Sequence, residues 1–329
     1  MPRAGDVIGV ERIMSSVEIY ARAATRENTR RSYRSALQHF EAEWGGLLPA
    51  SPDTVARYLA EHAEMLSIST LQQRLAALAD WHHAHGFPDP TKAQIVRKVM
   101  KGIRALHPAQ QKQARPIQLE QVGQIAHWLD EAIAAAKLAG RKPEQLRYTR
   151  DRALLLLGFW RGFRGDELAR LRVENVNAIS GQGMTCFLSQ SKGDRDSRGK
   201  TFKAPALRTL CPVEAYLAWV ALAGLAEGPV FRAVDRWGNV GDAGLHINSL
   251  VPVLRTLFHS AGIALAHQYS GHSLRRGFAN WATSNGWDLK TLMEYVGWQD
   301  AHSAMRYIDA VDPFAKMRAA QSRATATDV

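Results

Sequence analysis

Two cysteines, Cys186 and Cys211, are all that 329 residues contain, and no cysteine or histidine stands at ligand spacing around them. That excludes a disulfide framework and a zinc finger, and it points to a reducing compartment. Long apolar runs are also missing: Ala153–Leu157 and Ala215–Leu225 are too short or too interrupted to cross a bilayer. The opening Met1-Pro2-Arg3-Ala4-Gly5-Asp6 has no apolar core of signal-peptide length. The expectation is a soluble, cytoplasmic protein with no membrane partner.

Acids are scarce relative to bases. Against 42 Lys and Arg stand 31 Asp and Glu, a formal charge of +11 with a pI near 9.9. Such an excess suits a polyanionic partner, nucleic acid first among them. Hydrophobic residues make up 46% of the chain, enough to bury a core in each of the two domains that its length predicts and to exclude disorder for the bulk.

The first hundred residues read as helices. Asn28 can cap one with Tyr33, Leu37, Phe40 and Trp44 at helical spacing, ended by Gly45-Gly46. Ser51-Pro52-Asp53 starts a second, with Ser as cap and Pro at the first helical position. Ser69 starts a third, striped by Leu71, Leu75, Leu78 and Trp81 and stopped by Gly86, and Asp89-Pro90 opens a fourth with Ile95, Val99, Ile103 and Leu106 on one side. Opposite that stripe Arg97, Lys101 and Arg104 recur at i, i+4 and i+7, and Thr91–Pro116 holds seven Lys or Arg and no acid. Solubility is served by mixed charge, whereas a strip of one sign suits a phosphate backbone.

His107-Pro108 to Arg115-Pro116, rich in Gln and Ala, reads as a linker. Beyond it the pattern predicts helices over Leu119–Ala139, Thr149–Trp160, Pro212–Ala223 and His246–His259, and again from Ser273 onward. Between them Met184–Ser189 and Thr201–Ala206 predict the strands of a hairpin around the polar turn Gln190–Lys200.

Four separated segments carry unusual combinations. In Gly162-Phe163-Arg164-Gly165-Asp166-Glu167-Leu168 a glycine-flanked arginine precedes a short helix over Asp166–Arg172, where backbone can approach an anion. Glu167 either holds that guanidinium or supports the helix start. Lys192 lies on the hairpin turn. His272 and Arg275, three apart, share a helix face, a neutral base beside a fixed cation. Trp298 follows Gly297, and Tyr307 comes nine residues later. Each alone has an ordinary structural reading.

Taken in this order, Arg164, Lys192, His272-Ser273-Leu274-Arg275 and Gly297-Trp298 followed by Tyr307 resemble the tyrosine recombinases of the phage integrase family. The match covers most of 115–315, and Trp298 stands where many members have histidine. The resemblance implies a mostly α fold with a small β-sheet: an N-terminal tail (1–20), an all-helical core-binding domain (21–107), a linker (108–116) and an α+β catalytic domain (117–329). It also implies DNA cleavage and rejoining through a 3′-phosphotyrosine.

In that reaction Tyr307 is the nucleophile, weak at a reference pKa of about 10 and in need of electrostatic help. Arg164 and Arg275 supply forked, permanently charged donors. His272 accepts the proton, Lys192 protonates the departing 5′-oxygen, Trp298 donates its indole N–H to the phosphate and Glu167 supports the arginine. The phosphotyrosyl bond conserves the linkage energy, so no cofactor and no metal is expected, in keeping with the absence of a P-loop pattern.

The implied partner is double-stranded DNA with an inverted-repeat recombination site, held by a homo-tetramer in the nucleoid; accessory proteins are not identified. Arg30, Arg34, Arg97, Lys101, Arg104, Lys112 and Arg115 are the expected DNA contacts, and Val311, Phe314 and Met317 give the tail an apolar helical spacing that suits docking on a neighbouring subunit or on its own domain. The biological task would be integration, excision or resolution of a mobile element. A type IB topoisomerase and a non-catalytic architectural DNA-binding factor are the alternatives. The separate helical domain and the Trp298 segment favour recombination over the first, and Tyr307, which binding alone would not require, argues against the second.

Overall fold

The computed structural model describes Tyr20 and residues 25–108, 113–189 and 199–308. Lys112, Lys192 and the tail positions Val311, Phe314 and Met317 lie outside the described residues. The chain is mostly helical with small sheets, and it divides into two compact units, Met1–Lys112 and Gln113–Val329.

The first unit contains α1 (Glu27–Gln38, continued by a π turn over His39–Glu43), α2 (Pro52–Glu61), α3 (Ile68–Ala84) and α4 (Gln94–Leu106). Phe40, Tyr58, Leu59, Leu71, Leu78, Val96 and Met100 make its core. Ser51 caps α2 as the sequence predicts, its side chain accepting from Thr54 N with Pro52 at the first position. Three local expectations are corrected. The extended residue before α1 is Arg26, not Asn28, and its carbonyl accepts from Thr29 N and Arg30 N. Ser67 rather than Ser69 caps α3, accepting from Thr70 N. In α4 the buried stripe is Val96, Met100 and Ile103, while Ile95 and Leu106 are exposed. A 3-10 turn at Pro90–Lys92, with Pro90 buried and Ala93 extended, fixes the rotation with which α4 starts. Arg97, Lys101 and Arg104 are exposed, on the flank of this stripe rather than opposite it.

The second unit is built around α6 (Lys142–Arg161), which follows α5 (Leu119–Leu138) and starts earlier than the predicted Thr149. Thirteen of its twenty residues are buried, as expected of a helix packed on several sides. The short α7 (Gly165–Ala169) comes next. Strands β1 (Val176–Ile179), β2 (Gly183–Leu188) and β3 (Lys200–Pro205) form an antiparallel sheet in that order, Cys186 opposite Phe202. The predicted hairpin is its β2–β3 pair; β1 and a second pair, β4 (Arg232–Val234) with β5 (Val240–Gly244), add to what the sequence pattern predicts. Between the two pairs lies α8 (Pro212–Ala223). The rest is α9 (Ile247–Ser260), α10 (Gly271–Ser284), α11 (Leu289–Val296) and α12 (Ala301–Met305).

Helix α10 is held by backbone. Ile117 N donates to Ser273 O at 3.2 Å, and a Cβ on Gly277 would meet Ile117 O at 2.0 Å. Only glycine permits that approach. No helix among the described residues is long and apolar enough to cross a membrane.

Candidate active site

At the end of α6, Gly162 takes a left-handed conformation (φ +56°), which stops the helix and turns the chain into α7. This presents two acceptors to the arginines. The Gly162 carbonyl accepts from Arg275 Nη1 at 2.6 Å. Glu167, 2% exposed, accepts from the Arg164 backbone N–H through Oε2 and from Arg164 Nη1 through Oε1, both at 2.8 Å. Its Oε2 also faces Arg275 Nη1 at 3.4 Å. One carboxylate therefore braces both guanidiniums and caps α7 at once, so both roles that the sequence left open for it are filled. Its bridging to Arg275, 108 positions away, was not legible in the sequence.

Ser270 caps α10 and sets His272 and Arg275 on one face. His272 is exposed, whereas Arg275 is fully buried, with Nε and Nη2 lacking a hydrogen-bond partner among the described residues. Burial, then the neighbouring Arg164 charge, push its pKa down to about 9; Glu167 works the other way. The group remains a cation at neutral pH.

Gly297, left-handed at φ +82°, ends α11 and delivers Trp298, and Asp300 caps α12, which leads into Tyr307. The Tyr307 hydroxyl lies 3.0 Å from His272 Nδ1. Its ring is 5.3 Å from that of Trp298, and the Arg275 guanidinium sits 4.8 Å from the Trp298 ring and 5.5 Å from the Tyr307 ring. Trp298 is 5% exposed, and its Nε1 has no partner among the described residues. Buried donors left unsatisfied are costly, and here three of them, Arg275 Nε and Nη2 and Trp298 Nε1, belong to side chains grouped around one hydroxyl. The set suits an anion with several oxygens.

Arg164, Glu167, His272, Arg275, Trp298 and Tyr307 are thus gathered from three separated segments. Of the expected DNA contacts, Arg34, Arg97, Lys101, Arg104 and Arg115 are exposed. Arg115 faces the Tyr269 ring at 5.6 Å, Arg97 donates to Lys92 O, and Arg30 is paired with Glu27 and donates to Thr25 O.

The phage integrase family model matches residues 120–312. Among curated proteins, the chain is 30% identical over 292 residues to an integrase/recombinase xerD homolog of Selenomonas ruminantium, covering 86% of this chain and 82% of that one. It is 25% identical over 280 residues to the recombinase cre of Escherichia phage P1, covering 80% and 77%. Among solved structures it is similar in fold to the Tn1549 transposon integrase in complex with transposon right end DNA (TM-score 0.56, 16% identity, covering 94% of this chain and 97% of that one). A lambda integrase dimer bound to a COC′ core site is similar to the same degree (TM-score 0.56, 14% identity, covering 90% and 93%).

Proposed function

Because this chain belongs to the phage integrase family of tyrosine recombinases, we propose that it recombines DNA site-specifically through a covalent 3′-phosphotyrosine at Tyr307. The observation that carries this reading is the Tyr307 hydroxyl 3.0 Å from His272 Nδ1 and beside the Arg275 guanidinium. A nucleophile within hydrogen-bond reach of a base, next to a fixed cation, is what attack on a phosphodiester requires.

Tyr307 Oη attacks the scissile phosphorus while its proton passes to His272. The bond to the 5′-oxygen breaks, and that oxygen leaves with a proton from Lys192. Arg164 and Arg275 stabilise the charge that grows on the non-bridging oxygens, with Trp298 Nε1 as a further donor. Glu167 keeps both guanidiniums in place. Attack by another 5′-hydroxyl on the phosphotyrosyl bond, its proton passing to Lys192 while His272 returns a proton to the departing Tyr307 oxygen, restores the backbone. The linkage count is unchanged, so the exchange needs no external energy source.

The test is a suicide substrate built on the chain's footprinted site: a denaturing gel should show a protein–DNA adduct, and its absence with the wild-type chain would sink the proposal. Lys192→Ala should slow cleavage of ordinary DNA by about 10²–10⁴-fold, the usual worth of general acid catalysis. A 5′-thio leaving group, which needs no acid, should bring its rate back near the wild type; failure of that rescue assigns the acid elsewhere.

Exposed Arg34, Lys101, Arg104 and Arg115, with Arg97 and Lys112, act on the duplex as phosphate contacts, which orient the protein without choosing sequence. Neutralising six or more phosphates should cost affinity on the order of a thousandfold as salt rises from about 50 to about 200 mM. A flat salt dependence in a mobility-shift titration would remove these side chains from the interface. Strand exchange between two duplexes further implies a tetramer on an inverted-repeat site, serving a mobile element.

A further inference from the structure

Arg161, the last residue of α6, is 1% exposed and makes no ion pair among the described residues. Its Nη2 donates to the Tyr295 carbonyl at 2.5 Å, while Nε and Nη1 have no hydrogen-bond partner among those residues. Aromatic faces surround the guanidinium instead: Tyr295 at 4.0 Å, Phe202 at 5.0 Å and Phe163 at 5.4 Å. Such faces attract a desolvated cation but do not neutralise it. Glu167 is shared by Arg164 and Arg275, and Arg161 has no ion pair with it, so three guanidiniums of this region have one carboxylate among the described residues. A buried surplus of positive charge is expensive, and a fold that carries it has a counter-charge in prospect.

The bond to Tyr295 O gives this charge a mechanical role as well. Tyr295 lies in the last turn of α11, where backbone carbonyls lack helical partners, and a cation is favoured there by the helix dipole. Two residues on comes Gly297, whose Cβ, if it had one, would meet Phe202 at 2.9 Å; then comes Trp298. Arg161 and Phe202 therefore hold the end of α11 from below, at the point where the chain turns to present Trp298 to Arg275 and Tyr307.

We propose that Arg161 is a positioning residue for strand cleavage: by capping α11 at Tyr295 O it fixes Trp298 against Arg275 and Tyr307. This rests on the recombinase reading above and assigns a role to a residue that touches none of the reacting atoms.

The experiment is a double-mutant cycle between Arg161 and Trp298, reading single-turnover cleavage of the suicide substrate, affinity for uncleavable DNA and melting temperature. Arg161→Met should cut cleavage about tenfold, one power of ten in rate for the loss of a supporting contact, with affinity held within about twofold. Arg161→Lys, which keeps the charge and a donor, should recover most of that loss. In a Trp298→Phe background Arg161→Met should cost less than about threefold more, because the group it positions has been removed.

Multiplicative losses in the double variant would overturn the inference, as would unchanged cleavage in Arg161→Met or a fall in affinity equal to the fall in cleavage. If Arg161→Met does not fold, Arg161→Lys in the two backgrounds carries the same comparison: a smaller deficit in the Trp298→Phe background than beside the native indole supports the relay, and an equal one refutes it. Wild-type cleavage in Trp298→Phe alone overturns the relay while leaving Tyr307 chemistry intact. An absent wild-type adduct overturns the recombinase reading itself, and this inference with it.

Discussion

Tyr307→Phe is expected to bind its DNA site as tightly as the wild type, within about twofold, and to form no covalent adduct above background. The substitution removes one oxygen and with it the only bond the proposed chemistry makes between protein and DNA. The ring remains to pack at 5.3 Å from Trp298 and beneath the Arg275 guanidinium, so the fold around it has no reason to change. Gel shift and denaturing gel on the same samples separate the two effects. An adduct that persists in Tyr307→Phe would turn attention to Tyr295, the nearest other tyrosine in the sequence. The structure makes that a poor substitute: Tyr295 donates its hydroxyl to Trp160 O at 2.8 Å, and burial raises its pKa, so it is both occupied and harder to ionise.

Arg275→Met should produce the second large effect and a less obvious companion to it. Cleavage should fall by about 10²–10³-fold or more, the typical cost of removing one donor from a site that stabilises developing negative charge. Stability should not fall with it. Arg275 is fully buried, two of its nitrogens lack partners among the described residues, and its contact with Glu167 is long at 3.4 Å. Glu167 keeps Arg164, so no carboxylate is stranded by the change. Removing this poorly paired buried ion relieves its desolvation cost, which offsets the one bond that the Gly162 carbonyl loses, a loss of about 1–3 kcal/mol. An unchanged or higher melting temperature beside collapsed cleavage would mark Arg275 as a group kept for chemistry at the expense of the fold. A drop of several degrees would make it structural.

The legible parts of this chain were those with local signatures. Ser51-Pro52 announces α2, Leu119–Leu138 and Pro212–Ala223 are continuous helical patterns, and the β2–β3 hairpin alternates clearly enough to be placed within a residue of its true bounds. The candidate site was readable for a related reason: glycines flank Arg164 and precede Trp298, and the cap at Ser270 sets His272 and Arg275 on one face.

What failed to show were features decided at a distance. Strand β1 offers four residues of mixed polarity, and β5 contains two glycines, so neither carries a periodic signal. The phase of α4 depends on where Pro90 is buried, not on which of Ile95 or Val96 is more apolar. Arg161 looks like a helix-ending surface arginine until Tyr295, 134 positions on, closes over it. Long-range contacts of this kind leave no trace in spacing.

The hydroxyl of Tyr307 already rests on His272 of its own chain, and that has an arithmetic consequence for any assembly. On the proposed chemistry, each copy would bring its own nucleophile, base and guanidinium to the duplex, since Tyr307, His272 and Arg275 meet within one chain. A copy that has lost its tyrosine and one that has lost its arginine would remain two idle hands side by side, and the yield of an ensemble would follow the head count of intact members.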